Sequence, residues 1–355
     1  MKVGIITYHR AHNYGAVLQC YALQTVLATM GHDVYVVDYR QSFIERLYNP
    51  SKRDLILRHK TNPRALLGLI RVFISLHNKK RRFEKFCTKY LNLSQPCSFE
   101  DIPSFDVYII GSDQMWSIDC AGGSIDPVYF GLFKRPSNSK LIGFSISSNK
   151  YSVERLGADI NFYLSRFDHI SFREQFVTDS IQHSIGKVFA VTLDPTLCAD
   201  AGVWNNVINE KWNKRKYVAV YHVLFRSSAD VYNKIKLQAE RIAKTHGWDV
   251  IDLSSGIYDV QDFVSVIKYA QCVVTSSFHA TVFSVIFSRP LFSIQLHDGN
   301  DSRYKNLLDS LGMTDALADL DFSSEYPCKF DSAIIQRELT KLREPSLKFL
   351  RDNIV

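Results

Sequence analysis

Short apolar strands alternate with amphipathic helices twice along this chain, and that repeated alternation constrains the fold more than any other feature of the sequence. KVGIITYH is β-rich and RAHNYG is polar. Val17, Leu18, Tyr21, Ala22, Leu23, Val26, Leu27 and Met30 then recur at helical spacing until Gly31 stops the helix. DVYVVDY follows from Asp33 and completes a strand, helix, strand unit, which favours a parallel sheet. Further buried strands are expected at Phe105 to Ile110, Lys140 to Ser145, His169 to Phe172 and Val188 to Thr192. After DPTLCAD (Asp194 to Asp200) the alternation restarts with the strand KYVAVYHVLF and a helix from about Ala229 to Thr245. The strand WDVIDLS, a helix near Val260, the strand CVVTSS and a helix from His279 complete it. The expectation is an α/β chain of two Rossmann-like, doubly wound domains, residues 1–196 and 197–330, with a helical segment at 331–355. Asp194 to Trp212 is the natural linker, and a cleft between two such domains is where ligands would bind.

Ordinary globular usage, with 46% hydrophobic and 22% charged residues in 355, excludes long disordered or collagen-like stretches. The opening MKVGIITYHRAHN has too short an apolar run for a signal peptide, so the expected location is the cytoplasm. The longest mostly apolar run, Ala270 to Phe287, contains Thr275, Ser276, Ser277 and His279 and is not a membrane span. Seven cysteines form no C-x-x-C pair and no zinc-spaced cluster, so reduced and largely buried thiols are expected, and no metal site.

One segment breaks the alternation. From Lys52 to Lys89 there are twelve Lys and Arg residues against Asp54 and Glu84, a surplus of ten that exceeds the +7 of the whole chain. It reads as a basic helical insertion, residues 45–95, in the first domain. The apolar stretch Ala65 to Leu76, flanked by NKKRRFEKF, fits a solvated face packed on that domain. It also fits peripheral contact of 52–89 with the inner face of an anionic membrane. Nucleic acid is not expected, because no recognition motif accompanies the charge.

Several loops carry chemistry. HRAHNYGA joins the first strand to its helix, where Asn13 and Gly15 stand at a helix N-terminus that receives anions or polar ligands. A single glycine in place of G-x-G-x-x-G argues against a dinucleotide, despite Asp38 at the end of the second strand. Ser112 and Asp113 of GSDQMWS emerge at the carboxyl end of a strand, although Gly-Ser-Asp is also an ordinary loop and cap. Arg173 of SFREQF suits either a bidentate anion contact or a salt bridge within the fold. In TSSFHATVFSVIF, Ser276 and Ser277 end a strand and His279 opens a helix, where the dipole favours a neutral imidazole suited to acid/base work; a core histidine is the competing reading. In DSRYKNLLDSLGM, Asp301 or Ser302 is an expected N-cap, and Arg303 falls in the first turn, unfavourable there unless an anion is held.

Taken in order, NYGAVLQCYALQTVL, DVYIIGSDQMW, ISFREQF, TLDPTL, TSSFHATVFSVIFSRPLF and SRYKNLLDSLG resemble the motif series of the polysaccharide pyruvyl transferase family, over roughly Met1 to Leu320. The resemblance implies a glycosyltransferase-B type fold with its active site between domains. It also implies transfer of the pyruvyl group of phosphoenolpyruvate to a saccharide acceptor, lipid-linked ones included, to form a pyruvate ketal in surface polysaccharide biosynthesis. Arg173 matches the arginine of the family's S-x-R segment and His279 the histidine of its R-L-H segment, both linked there to phosphoenolpyruvate. Here that segment reads Ser277-Phe278-His279, so the expected cation is missing and Arg303, Arg10 or a lysine is left to replace it. On this reading His279 donates or relays the proton, and Asp113 is the base or orients the acceptor. Arg173 and Arg303 hold donor anions beside Ser112, Ser276 and Ser277, and Asn13 with Gly15 completes the cleft. The chemistry requires no cofactor and no metal, phosphoenolpyruvate being a substrate. A sugar-nucleotide glycosyltransferase of the same fold and a non-catalytic saccharide-binding protein are the rival readings.

Overall fold

The computed structural model describes residues 1–49, 63–299, 301–323 and 330–355, so the basic residues at 52–60 and Cys328 lie outside the described residues. The chain forms two units: Met1–Ala199 with Arg343–Val355, and Asp200–Leu342.

The first unit runs β1 (Lys2–Ile6), α1 (Tyr14–Thr29), β2 (Asp33–Val36), α2 (Ser42–Tyr48), α3 (Pro63–Tyr90), β3 (Val107–Ile110), β4 (Lys140–Ile146), α4 (Lys150–Leu156), α5 (Ile160–Leu164), β5 (His169–Phe172), α6 (Gln175–Ile185), β6 (Ala190–Val191) and α7 (Pro195–Cys198). Its sheet is parallel throughout, in the order β2-β1-β3-β4-β5-β6. Strands covered on both faces must be apolar throughout, and Val107, Tyr108, Ile109 and Ile110 of β3 are all fully buried. Gly31 ends α1 as expected, with a φ of 88° that only glycine adopts without cost. The insertion appears as α2 and α3, with Phe83, Phe86 and Cys87 buried against the unit.

The second unit runs β7 (Tyr217–Tyr221), α8 (Ala229–His246), β8 (Asp249–Asp252), α9 (Val260–Tyr269), β9 (Cys272–Thr275), α10 (Phe278–Ile286), β10 (Leu291–Ile294), α11 (Ser302–Ser310), β11 (Leu317–Ala318) and α12 (Ser332–Ile354). Its parallel sheet has the order β11-β10-β9-β7-β8. In each sheet the second strand lies on one side of the first and the third returns to the other, so the winding reverses between β1 and β3 and between β7 and β9. These are the two Rossmann-like units expected of a glycosyltransferase-B type chain. The helix expected at 331–355 is α12; from Arg343 onward its residues count with the first unit.

Two expected strands are shorter than their apolar runs. KYVAVYHVLF ends as a strand at Tyr221, because the backbone N–H of His222 leaves the ladder and donates to Ser254 Oγ at 2.9 Å. The run Val188 to Thr192 pairs only at Ala190–Val191. Six described cysteines are free, all buried except the half-buried Cys120. No helix among the described residues is long and apolar enough to cross a membrane.

Candidate functional site

Every residue singled out from the sequence stands beyond the carboxyl end of a strand, where a doubly wound sheet opens its crevice. In the first unit the loops after β1 and β3 meet across the reversal of winding. Thr7 Oγ1 donates to the Ser112 carbonyl at 2.9 Å. The buried Gln19 amide of α1 locks the junction, donating to Thr7 Oγ1 at 2.8 Å and accepting from the Ser112 N–H at 3.2 Å. Ser112 is fully buried and its hydroxyl donates to the Ser145 carbonyl at 2.8 Å, so it builds the turn. Gly111 is required there: a Cβ would lie 1.9 Å from the Phe144 carbonyl oxygen. Asp113 follows, half-buried, at a φ of 92° that is rare for a residue with a side chain. Its carbonyl accepts from the Ser147 N–H at 3.1 Å and its carboxylate from the Gln114 N–H at 2.8 Å. The turn therefore presents a carboxylate on a fixed backbone.

Asn13 is the N-cap of α1, and its side chain accepts from the Gly15 N–H at 2.9 Å. The other polar groups of that loop converge on Asp38, which receives His9 Nε2 at 3.1 Å, Arg10 through two nitrogens at 2.6 and 2.5 Å, and Arg40 at 3.0 Å. Burial pushes the Asp38 carboxyl up, but hydrogen bonds from His9 and Arg10 and the Arg10 charge outweigh it and hold the group well below the carboxylate range. Arg10 is thus committed to Asp38. His12 is buried between Tyr48 and Phe83, with ring centroids 4.9 and 5.5 Å away. Burial, then Lys79, Lys80 and Arg10, push its pKa down to about 4.

Arg173 lies at the end of β5 with a side chain only 5% exposed. Its Nε donates to Glu174 at 2.9 Å, Nη1 to Asp194 at 2.8 Å and Nη2 to Ser147 Oγ at 2.7 Å. Of the two readings the sequence allowed, the internal ion pair is the one formed. Burial disfavours the charge, but Glu174, Asp194 and Asp113 more than restore it.

In the second unit the network centres on His222, after β7. Its Nδ1 bonds to Ser276 Oγ at 2.6 Å and its Nε2 to Ser227 Oγ at 2.8 Å. Burial and then Arg226 push its pKa down to about 4, so the ring is neutral near pH 7. Arg226 donates to the Ser276 carbonyl at 2.6 Å and through Nη2 to Asp298 at 2.7 Å, tying the loops after β7, β9 and β10. Ser277 is the N-cap residue of α10 but makes no side-chain capping bond. His279, half-buried, stands in the first turn of α10. Arg303, also half-buried, stands in the first turn of α11. Asp301 is the N-cap of that helix, yet its carboxylate turns away to accept from the Leu296 and His297 N–H groups at 2.7 and 2.6 Å and from Tyr304 and Arg226.

The family model of the polysaccharide pyruvyl transferases matches residues 13–298, which takes in the loops after β3, β5, β7 and β9. The chain belongs to the polysaccharide pyruvyl transferase family. Among curated proteins no relative matches its sequence significantly. Solved structures similar to this family member include the UDP-GlcNAc 2-epimerase of Methanocaldococcus jannaschii, 11% identical, with 99% of each chain covered and a TM-score of 0.48. A putative UDP-N-acetylglucosamine 2-epimerase of Listeria monocytogenes is 10% identical, with 99% of this chain and 90% of that one covered and a TM-score of 0.48. The E. coli heptosyltransferase WaaC with ADP is 11% identical, with 96% and 100% covered and a TM-score of 0.37.

In this pyruvyl transferase family member the position that lacks the expected cation, Ser277, has an arginine beside it after all. Arg226, in the loop after the neighbouring strand β7, reaches the carbonyl of the preceding residue. Sequence reading missed both His222 and Arg226, since they end the apolar run YVAVYHVLF that reads as one long strand. The signal available was the polar run Arg226-Ser227-Ser228 directly after the apolar stretch, with His222 interrupting it.

Proposed function

We propose that this protein transfers the pyruvyl group of phosphoenolpyruvate to a saccharide, forming a pyruvate ketal in surface polysaccharide assembly. Membership of the pyruvyl transferase family is the observation that carries this reading. Two acceptor hydroxyl oxygens bond to C2 of the enol phosphate, C3 takes up one proton and becomes a methyl group, and inorganic phosphate leaves with the other proton. His279, at the first turn of α10, supplies the proton to C3. Arg303, in the first turn of α11, holds a donor anion. Ser276, Ser277 and Arg226 stand with them at the strand ends of the second unit, and in the first unit Asp113, on its fixed turn, is the group suited to orient a hydroxyl. Arg173 acts here by holding Ser147, Glu174 and Asp194 in place.

The nucleotide-sugar alternative is less well supported by the acids at the ends of the second strands. A nucleotide ribose commonly engages a carboxylate there. Asp38 is filled by His9, Arg10 and Arg40, and Asp252 by Tyr232 and the Ser254 N–H. A thermal-shift series with phosphoenolpyruvate, a nucleotide sugar and buffer tests the assignment, since a ligand that binds only the folded state raises its stability. Stabilisation by phosphoenolpyruvate supports the proposal; stabilisation by the nucleotide sugar alone favours glycosyl transfer and rejects it.

A further inference from the structure

Helix α3 spans 28 residues, about 42 Å at 1.5 Å per residue, and among its described side chains, Arg71 to Tyr90, only Phe83, Phe86 and Cys87 near its carboxyl end are buried. On the opposite side Arg71, Ile74, Asn78, Arg81, Lys85 and Lys89 follow one another at intervals of three or four and are all exposed. That spacing places them on one face over about 27 Å. The face has four permanent cations and no carboxylate. Glu84, the one acid of the helix, is half-buried and pairs with Lys80 at 3.6 Å. Lys79 belongs to the packed side, over the Phe83 ring at 5.8 Å. Within the basic face Ile74 is an apolar side chain 52% exposed.

We propose that this face of α3 docks the protein on an anionic lipid bilayer. A row of cations that includes an exposed isoleucine complements a surface with anionic headgroups above an apolar phase, and lipid satisfies both parts at once. A nucleic acid backbone would match the charge alone, and the face carries no aromatic side chain on which bases could stack. The inference does not depend on the reaction catalysed.

Co-sedimentation of the full chain with phosphatidylcholine vesicles, with and without 30% phosphatidylglycerol, tests it. Binding is expected to the anionic vesicles only and to weaken steeply with added salt. At roughly five-fold in affinity per cation, the combined variant Arg81→Gln, Lys85→Gln, Lys89→Gln should lose on the order of a hundred-fold. A variant with equal charge loss elsewhere, Lys234→Gln, Lys244→Gln, Lys348→Gln, should keep its binding. Ile74→Ser should weaken binding at constant charge. These positions are exposed, and circular dichroism checks that each variant is folded. The proposal is overturned by equal recovery with neutral vesicles, by no recovery with either, or by equal losses in the two triple variants. Release from anionic vesicles by duplex DNA at equal phosphate concentration overturns it as well.

Discussion

Arg173 meets two carboxylates and a hydroxyl in a side-chain environment almost closed to water, and that geometry fixes how the residue responds to substitution. Removing one partner of a buried ion pair leaves the other charge uncompensated, at a cost of about 3–5 kcal/mol. Arg173→Ala is therefore expected to lower unfolding free energy by that amount in a denaturant titration; a loss below about 1 kcal/mol would show that the pairs are weak and return Arg173 to ligand binding. His279 differs, being half-buried at a helix start. His279→Ala should leave circular dichroism unchanged and reduce turnover by roughly 10²–10⁴-fold, the range for loss of an acid/base group. Unfolding of that variant would make it a packing residue. At this scale the sequence identified which residues stand at strand ends but not their partners. Glu174 is adjacent to Arg173, whereas Asp194 and Ser147 are brought to it by the return of β4 and the chain beyond β6.

Among the elements, the strands and helices were legible because parallel strands buried on both faces are continuous apolar runs and the helices carry their own period and stops. The errors fell at the ends, where polar neighbours decide. His222 leaves β7 because Ser254, Ser227 and Ser276 receive it, and none is near in sequence except Ser227. Asp301 looked like a capping side chain but is drawn to Arg226 and to the N–H groups of the preceding loop. The turn after β3 was legible in composition only, since the need for Gly111 comes from the Phe144 carbonyl on the adjacent strand. Gly111→Ala combines that clash with a φ of 138° and should cost about 2–4 kcal/mol, counting overpacking and backbone strain together. An unchanged melting temperature in Gly111→Ala would mean that the turn relaxes and does not hold Asp113 rigidly.

For the whole molecule, the two buried neutral histidines make stability depend on pH. His12 and His222 both titrate at about 4 when folded, below the unfolded value of 6.5. Between these limits the unfolded chain binds more protons, so their contribution is complete above about 6.5, is lost as pH falls toward 4, and changes no further below that. Melting temperature should fall across this window, and less steeply in His222→Asn; identical slopes would show that the folded ring protonates freely. The reaction itself is open to measurement. Phosphoenolpyruvate labelled with carbon-14 in its carboxyl group, incubated with the protein and a panel of saccharide acceptors, measures it directly. Acceptor-dependent label is expected in the saccharide fraction, released by mild acid as pyruvate, with one inorganic phosphate formed per label transferred. Phosphate release without labelled saccharide, or transfer of sugar from a nucleotide sugar in the same assay with no label from phosphoenolpyruvate, would rule out pyruvyl transfer by this protein.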